Sequence, residues 1–173
     1  SVASIPDPPV VRESNNTTEI TNLLPKAIIE GNSTFGIEFN ATDPYDTPSS
    51  TNFIWNLQGP DATKFKVEPN VGSYVTLSLL QVPNFEIPHD SGSDNRFDLN
   101  VSVTDDSGSV LTFPVQLTVL DGPEPPYFDY GDNNKSVTHK VATDFPENAT
   151  GTVFDAHAFD LDGSAIVYGL TDP

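Results

Sequence analysis

The chain has 173 residues, no cysteine, sixteen prolines and a formal net charge of -18. Such acidity argues against nucleic acid and anionic membrane surfaces as partners, because both select Lys and Arg. The lack of cysteine removes disulfides, thiolate metal centres and cysteine nucleophiles, and no apolar run approaches the ~20 residues of a membrane span.

Taken from its start, the chain opens on Pro6-Asp7-Pro8-Pro9-Val10-Val11, a stiff extended entry. Alternating apolar residues and turn signals then predict strands near 19–23, 27–29, 34–41, 52–57, 64–68, 74–79, 96–104 and 111–120. Phe35, Ile37, Phe39 and Ala41 alternate with polar residues, and so do Phe97, Leu99, Val101 and Val103. With Trp55, Leu57, Phe65, Val67, Val75 and Leu77 they predict one sandwich core. No helical stripe longer than a few residues interrupts the series. The expected class is therefore all-β, a Greek-key immunoglobulin-like sandwich.

After the last strand comes Asp121-Gly122-Pro123-Glu124-Pro125-Pro126, which repeats the opening. A shift of 117 residues sets Pro6 on Pro123, Asp7 on Glu124, Glu30 on Glu147, Ala41 on Ala158 and Asp43 on Asp160. The expected organisation is a first sandwich over 10–121, a proline-rich acidic linker over 122–127, and an incomplete second copy over 128–173. The second copy carries an inward-facing set, Val153, Phe154, Ala156, Ala158, Ile166, Val167 and Tyr168. Too small to bury enough apolar surface alone, it is expected to be completed by other strands, most simply in a homodimer of half-domains. No signal-peptide pattern opens the sequence, so the chain is expected to be an internal fragment.

Asp160-Leu161-Asp162-Gly163 follows an alternating run, and two carboxylates at i and i+2 before a glycine turn can aim at one cation. Six sites read Asn-x-Ser/Thr, at Asn32, Asn40, Asn100, Asn134, Asn148 and the Asn15/Asn16 pair. They fit a glycosylated secreted protein or an Asn/Thr-rich bacterial surface protein equally well. His89-Asp90-Ser91 spells the letters of a hydrolase triad, but triad members come from separate elements. No Gly-rich phosphate loop or zinc motif is present, and no enzymatic activity is expected.

Several of these marks together resemble the cadherin repeat, particularly the cadherin-like modules of bacterial surface proteins. They are Phe145-Pro146-Glu147-Asn148, Ala158-Phe159-Asp160-Leu161-Asp162-Gly163 with Val167-Tyr168-Gly169-Leu170, and the acidic proline linker. Gly59-Pro60-Asp61 and Asn84-Phe85-Glu86-Ile87-Pro88 resemble the same family in the first copy. The resemblance implies calcium between consecutive domains, held by Glu30, Glu86, Asp121 and Glu124 from the first and Asp160 and Asp162 from the second. It implies a weaker N-terminal set of Asp7, Asp43, Asp46 and Asp105, because Tyr45 interrupts the first copy's acidic pair. Pro123, Pro125 and Asn84 depart from the usual pattern, so fewer or weaker ions are expected than a complete set would hold. The expected role is an extracellular, cell-surface adhesin or rod module, with a surface protein (homophilic or heterophilic) or a polysaccharide as partner. Two alternatives stand beside it. One is a carbohydrate-binding accessory module of a secreted polysaccharide-degrading protein, using Tyr45, Tyr127, Tyr130 and Tyr168; the other is a passive, metal-free spacer.

Overall fold

A computed structural model describes residues 6–44, 50–129, 135–136 and 157–169. The chain divides into two compact units, Ser1–Asp121 and Gly122–Pro173. The first is a two-sheet β-sandwich with eight strands among its described residues: β1 (Val10–Glu13), β2 (Leu24–Ile29), β3 (Gly36–Thr42), β4 (Ile54–Gln58), β5 (Phe65–Glu68), β6 (Tyr74–Leu79), β7 (Arg96–Thr104) and β8 (Val110–Leu120). One sheet runs β1-β3-β6-β5 and the other β2-β8-β7-β4. Every pairing among these strands is antiparallel except that of β2 with β8, which is parallel from Leu24↔Val115 to Ile29↔Leu120.

The period-2 pattern decides which side of each strand faces inward. In β7, Phe97, Leu99, Val101 and Val103 are buried; in β8, Leu117, Val115, Phe113 and Leu111 stand opposite them in that order, and Val119 continues the buried face beyond the pairing. Phe39 and Trp55 stack with centroids 5.9 Å apart, and Phe113 meets Phe39 edge-on at 5.5 Å. The buried Trp55 also donates its indole N–H to the Gly72 carbonyl at 2.9 Å, so its polar end is not left unsatisfied. These contacts weld the two sheets at the middle of the sandwich.

The strand bounds differ from the expectation at the start of the chain. The first strand is β1, and 19–23 is not a strand: only Ile20 of that stretch is buried, while Leu23 is half exposed. β1 is four residues long and opens on two buried valines, too short to show alternation. Arg12 and Glu19 meet in a single isolated bridge where the chain turns back. The second strand starts at Leu24 rather than at residue 27 and takes in Pro25, which a strand at the edge of its sheet tolerates. The remaining bounds shift by one or two residues, and β6 and β7 lie where the alternation predicts.

In the second unit, β9 (Tyr127–Asp129) lies between β10 (Lys135–Ser136) and β11 (Ala158–Phe159) in a three-stranded antiparallel sheet. Tyr127 and Phe159 stack at 6.0 Å across the β9–β11 pair. The expected Phe145–Asn148 motif with Glu147, and the inward residues Val153, Phe154 and Ala156, lie outside the described residues, as does the homodimer of half-domains that rests on them.

Candidate functional site

Parallel pairing of β2 with β8 brings the ends of the two strands to the same edge of the sheet. Ile29 stands opposite Leu120, so Glu30 and Asp121, each the next residue, leave the sheet side by side. The Glu30 N–H bonds to the Leu120 carbonyl at 3.0 Å and continues this pairing by one step. Gly31 then turns the chain at φ +70, and its N–H bonds to the Pro83 carbonyl at 3.0 Å. That bond ties the end of β2 to the long loop after β6.

Glu86 comes from this loop. Its position is set by three polar contacts: the Phe85 N–H donates to Glu30 Oε2 at 2.8 Å, Asn95 Nδ2 donates to the Phe85 carbonyl at 2.9 Å, and the Ile87 N–H donates to Asn84 Oδ1 at 2.6 Å. Carboxylate oxygens of Glu30, Glu86 and Asp121 consequently lie within 4.8 Å of one another. Glu86 Oε2 is buried and accepts no hydrogen bond. Burial raises the Glu86 pKa, and the carboxyls of Glu30 and Asp121 push it further in the same direction. Three carboxylates this close, one with an orphaned buried oxygen, make an all-oxygen donor set of the kind hard cations take.

The other residues of the expected junction set belong to the second unit. There Asp162 Oδ2 accepts the Glu124 N–H at 3.0 Å, while Asp162 Oδ1 is buried and accepts no hydrogen bond. Asp160 Oδ1 takes the Ser164 N–H at 3.1 Å, and Gly163 turns the chain with φ +70. The Asp-x-Asp-Gly stretch thus forms the tight turn its residues imply, directly after β11.

The weaker N-terminal set is scattered in kind. Asp7 is exposed, and Asp46 lies outside the described residues together with Tyr45. Asp43 and Asp105 are buried. Asp43 Oδ2 accepts the Ser50 N–H at 2.8 Å, and Asp105 Oδ1 accepts both the N–H and the hydroxyl of Ser107 and the N–H of Ser109. Asp105 Oδ2 is buried and unbonded. Among the described residues this set does not make a group of three close carboxylates.

Two acidic residues that the sequence marks only as parts of the Gly59-Pro60-Asp61 and His89-Asp90-Ser91 stretches turn out to be structural anchors. The buried Asp61 accepts the N–H groups of Ser91 and Asp98, each at 2.7 Å. Asp90 accepts those of Asp94 and Asn95, each at 3.0 Å. Burial alone would raise the Asp90 pKa, but these backbone bonds outweigh it and the net shift is downward. The signal for Asp61 was present in Gly59-Pro60-Asp61, a turn that delivers a carboxylate to an incoming loop. Ser91 gives its hydroxyl to the Pro60 carbonyl at 2.8 Å, so with Asp90 also occupied, His89-Asp90-Ser91 makes no relay. Of the tyrosines named for sugar stacking, Tyr127 packs on Phe159 and Tyr168 accepts the Ala158 N–H through its hydroxyl at 3.1 Å. Tyr45 and Tyr130 lie outside the described residues.

No protein-family model matches the chain, and a search of curated proteins finds no match. Solved structures similar to it include human CDH23 EC21-23, at 16% identity over 88% of this chain and 43% of that one, with a TM-score of 0.48. The human desmocollin-1 ectodomain is 14% identical over 72% of this chain and 23% of its own, with a TM-score of 0.45. Drosophila N-cadherin EC1-3 is 18% identical over 68% and 35%, with a TM-score of 0.44. The chain therefore spans less than half the length of these ectodomain structures. At such identities and scores they do not bear on what the chain binds. Among the described residues no helix is long and apolar enough to cross a membrane.

Proposed function

We propose that the chain is a calcium-rigidified module of an extracellular adhesin or surface rod. The observation that carries this reading is Glu86: a buried carboxylate oxygen without a hydrogen bond, held against two further carboxylates by a loop pinned at both ends. Three carboxyls at this spacing repel one another unless a proton or a cation intervenes. A calcium ion supplies the missing partner and accepts more oxygens than the three. Glu124 is three residues beyond Asp121 on a linker stiffened by Pro123, Pro125 and Pro126. In this reading Glu124, Asp160 and Asp162 complete the shell and the ion clamps the linker. A clamped linker makes a straight spacer that displays its faces to a surface protein or polysaccharide. Asp43 and Asp105 are the N-terminal counterpart, with fewer ligands and a weaker grip.

Thermal melting of the whole chain in calcium and in chelator tests this. Calcium is expected to raise the melting temperature, and magnesium at equal ionic strength to raise it much less, because magnesium holds its waters and demands near-ideal octahedral geometry. Equal stabilisation by the two ions would reduce the effect to charge screening, and no stabilisation by calcium would overturn the reading.

A further inference from the structure

The outward side of the β1-β3-β6-β5 sheet has a composition unlike the rest of the molecule. Its register sets three rows across the strands: Arg12, Asn40 and Tyr74; then Glu38, Thr76 and Glu68; then Gly36, Ser78 and Lys66. The alternate residues Ile37, Phe39, Val75, Leu77 and Phe65 are buried, so these rows face outward. Glu38 and Thr76 of the second row, with all of the third, floor an open cavity of about 740 Å³, whose wall includes Thr34, Lys26 and Glu13. Gly36 keeps the floor low: a Cβ there would sit 3.2 Å from Thr76 Cγ2. At the far row Tyr74 is 67% exposed, with Asn40 Nδ2 lying 3.5 Å from its hydroxyl.

Charge on this face is close to balance, three cations against four carboxylates with Glu38 the fourth, in contrast to the -18 of the chain. Lys26 pairs with Glu13 at 2.6 Å, Lys66 with Glu68 at 2.7 Å, and Arg12 with Glu19 at 2.5 Å. Three of the seven Lys and Arg residues therefore stand here, each beside its own carboxylate. Paired in this way the cations offer no net attraction to an anion, and Glu38 adds a negative charge, yet the pairs keep spare N–H donors and oxygen acceptors beside Thr76 and Ser78. We propose that this face binds a neutral, linear oligosaccharide, with Tyr74 stacking on the apolar side of one sugar ring while the cavity hydrogen-bonds the hydroxyls of its neighbours. The two parts suit a chain rather than a single sugar: Tyr74 and Ser78 are four residues apart on one strand, about 13 Å. A tyrosine ring supplies both the flat apolar surface and a polar rim. The site uses none of the proposed calcium ligands, and Glu86 lies in the loop beyond the opposite end of β6 from Tyr74.

Titration calorimetry on the whole chain in chelator, with neutral hexasaccharides of glucose, mannose, xylose or galactose, tests the proposal. Saturable binding of at least one is expected, with oligogalacturonate binding more weakly. Tyr74→Ala should weaken the best ligand about tenfold, and Tyr74→Phe should keep most of the affinity because the ring remains. Added calcium should leave the affinity unchanged, so this result stands or falls apart from the metal reading. The proposal is overturned if no neutral hexasaccharide binds, if oligogalacturonate binds best, or if Tyr74→Ala, shown folded by its melting curve, binds like the parent.

Discussion

Two sets of acidic side chains in the first unit differ in what meets their oxygens. Asp61 and Asp90 each receive two backbone N–H groups, so their charges are answered by the fold and serve to hold it. Glu86 has a buried oxygen that no hydrogen bond reaches and faces two other carboxyls. The first kind of acid is finished when the chain folds. In the proposed reading the second is completed by an ion from solution. Burial and acidity alone do not distinguish them; the supply of N–H donors does.

The sharpest way to break this comparison is Asp61→Ala. Removing a buried acceptor of two charge-assisted bonds should lower stability by about 3–4 kcal/mol, equally with and without calcium. Denaturant melts in both conditions measure it, and a loss that calcium rescues would place Asp61 in the wrong set.

Glu86→Gln should behave in the opposite sense. In chelator the variant should be as stable as the parent or slightly more so, since one of three crowded charges is gone. In calcium at a hundred times the dissociation constant, the parent should gain about 2.7 kcal/mol and the variant much less. A variant that keeps the full calcium increment would remove Glu86 from the ligand set.

Proton titration separates the two sets with the smallest effect. The folded pKa of Asp90 lies below its unfolded value, so its contribution is present above about pH 3.8 and is lost as pH falls through the lower folded value. The folded pKa of Glu86 lies above its unfolded value. Its contribution is present below about pH 4.5 and is lost as pH rises through the higher folded value. In chelator, stability of the parent should therefore dip on going upward through that window, and Glu86→Gln should flatten the dip. If the dip survives the substitution, some other group produces it.

Much of the sandwich was legible because β3, β6, β7 and β8 are long enough for alternation to repeat. Phe97, Leu99, Val101 and Val103 could be assigned to one face from spacing alone. β1 could not, since Val10 and Val11 are both buried and only two residues follow in the strand. β2 was half hidden by Pro25, which reads as a breaker until the strand is known to lie at an edge. At the site, Glu30, Glu86 and Asp121 were legible only through the motifs around them. What brings Glu30 beside Asp121 is the parallel register of β2 on β8, a pairing between segments about ninety residues apart that no local pattern announces. For Asp61 the turn Gly59-Pro60-Asp61 was legible but its anchoring role was not, because its donors, Ser91 and Asp98, are 30 and 37 residues away.

The parallel β2–β8 pair also has a mechanical meaning. Tension along the chain pulls β8 through its C-terminal end and reaches β2 from the N-terminal side through β1, so once β1 yields, β2 and β8 are dragged in opposite directions along a shared axis. Their rungs, Leu24↔Val115 through Ile29↔Leu120, then carry the load together in shear instead of parting one at a time like a zip. Single-molecule stretching should show a high rupture force that falls when a proline replaces Ile28 and removes one backbone donor; an unchanged force would shift the load-bearing role to another strand pair. If the stretching result holds, the sandwich is a link that can be pulled on, with its parallel seam at the strand that leads out of it.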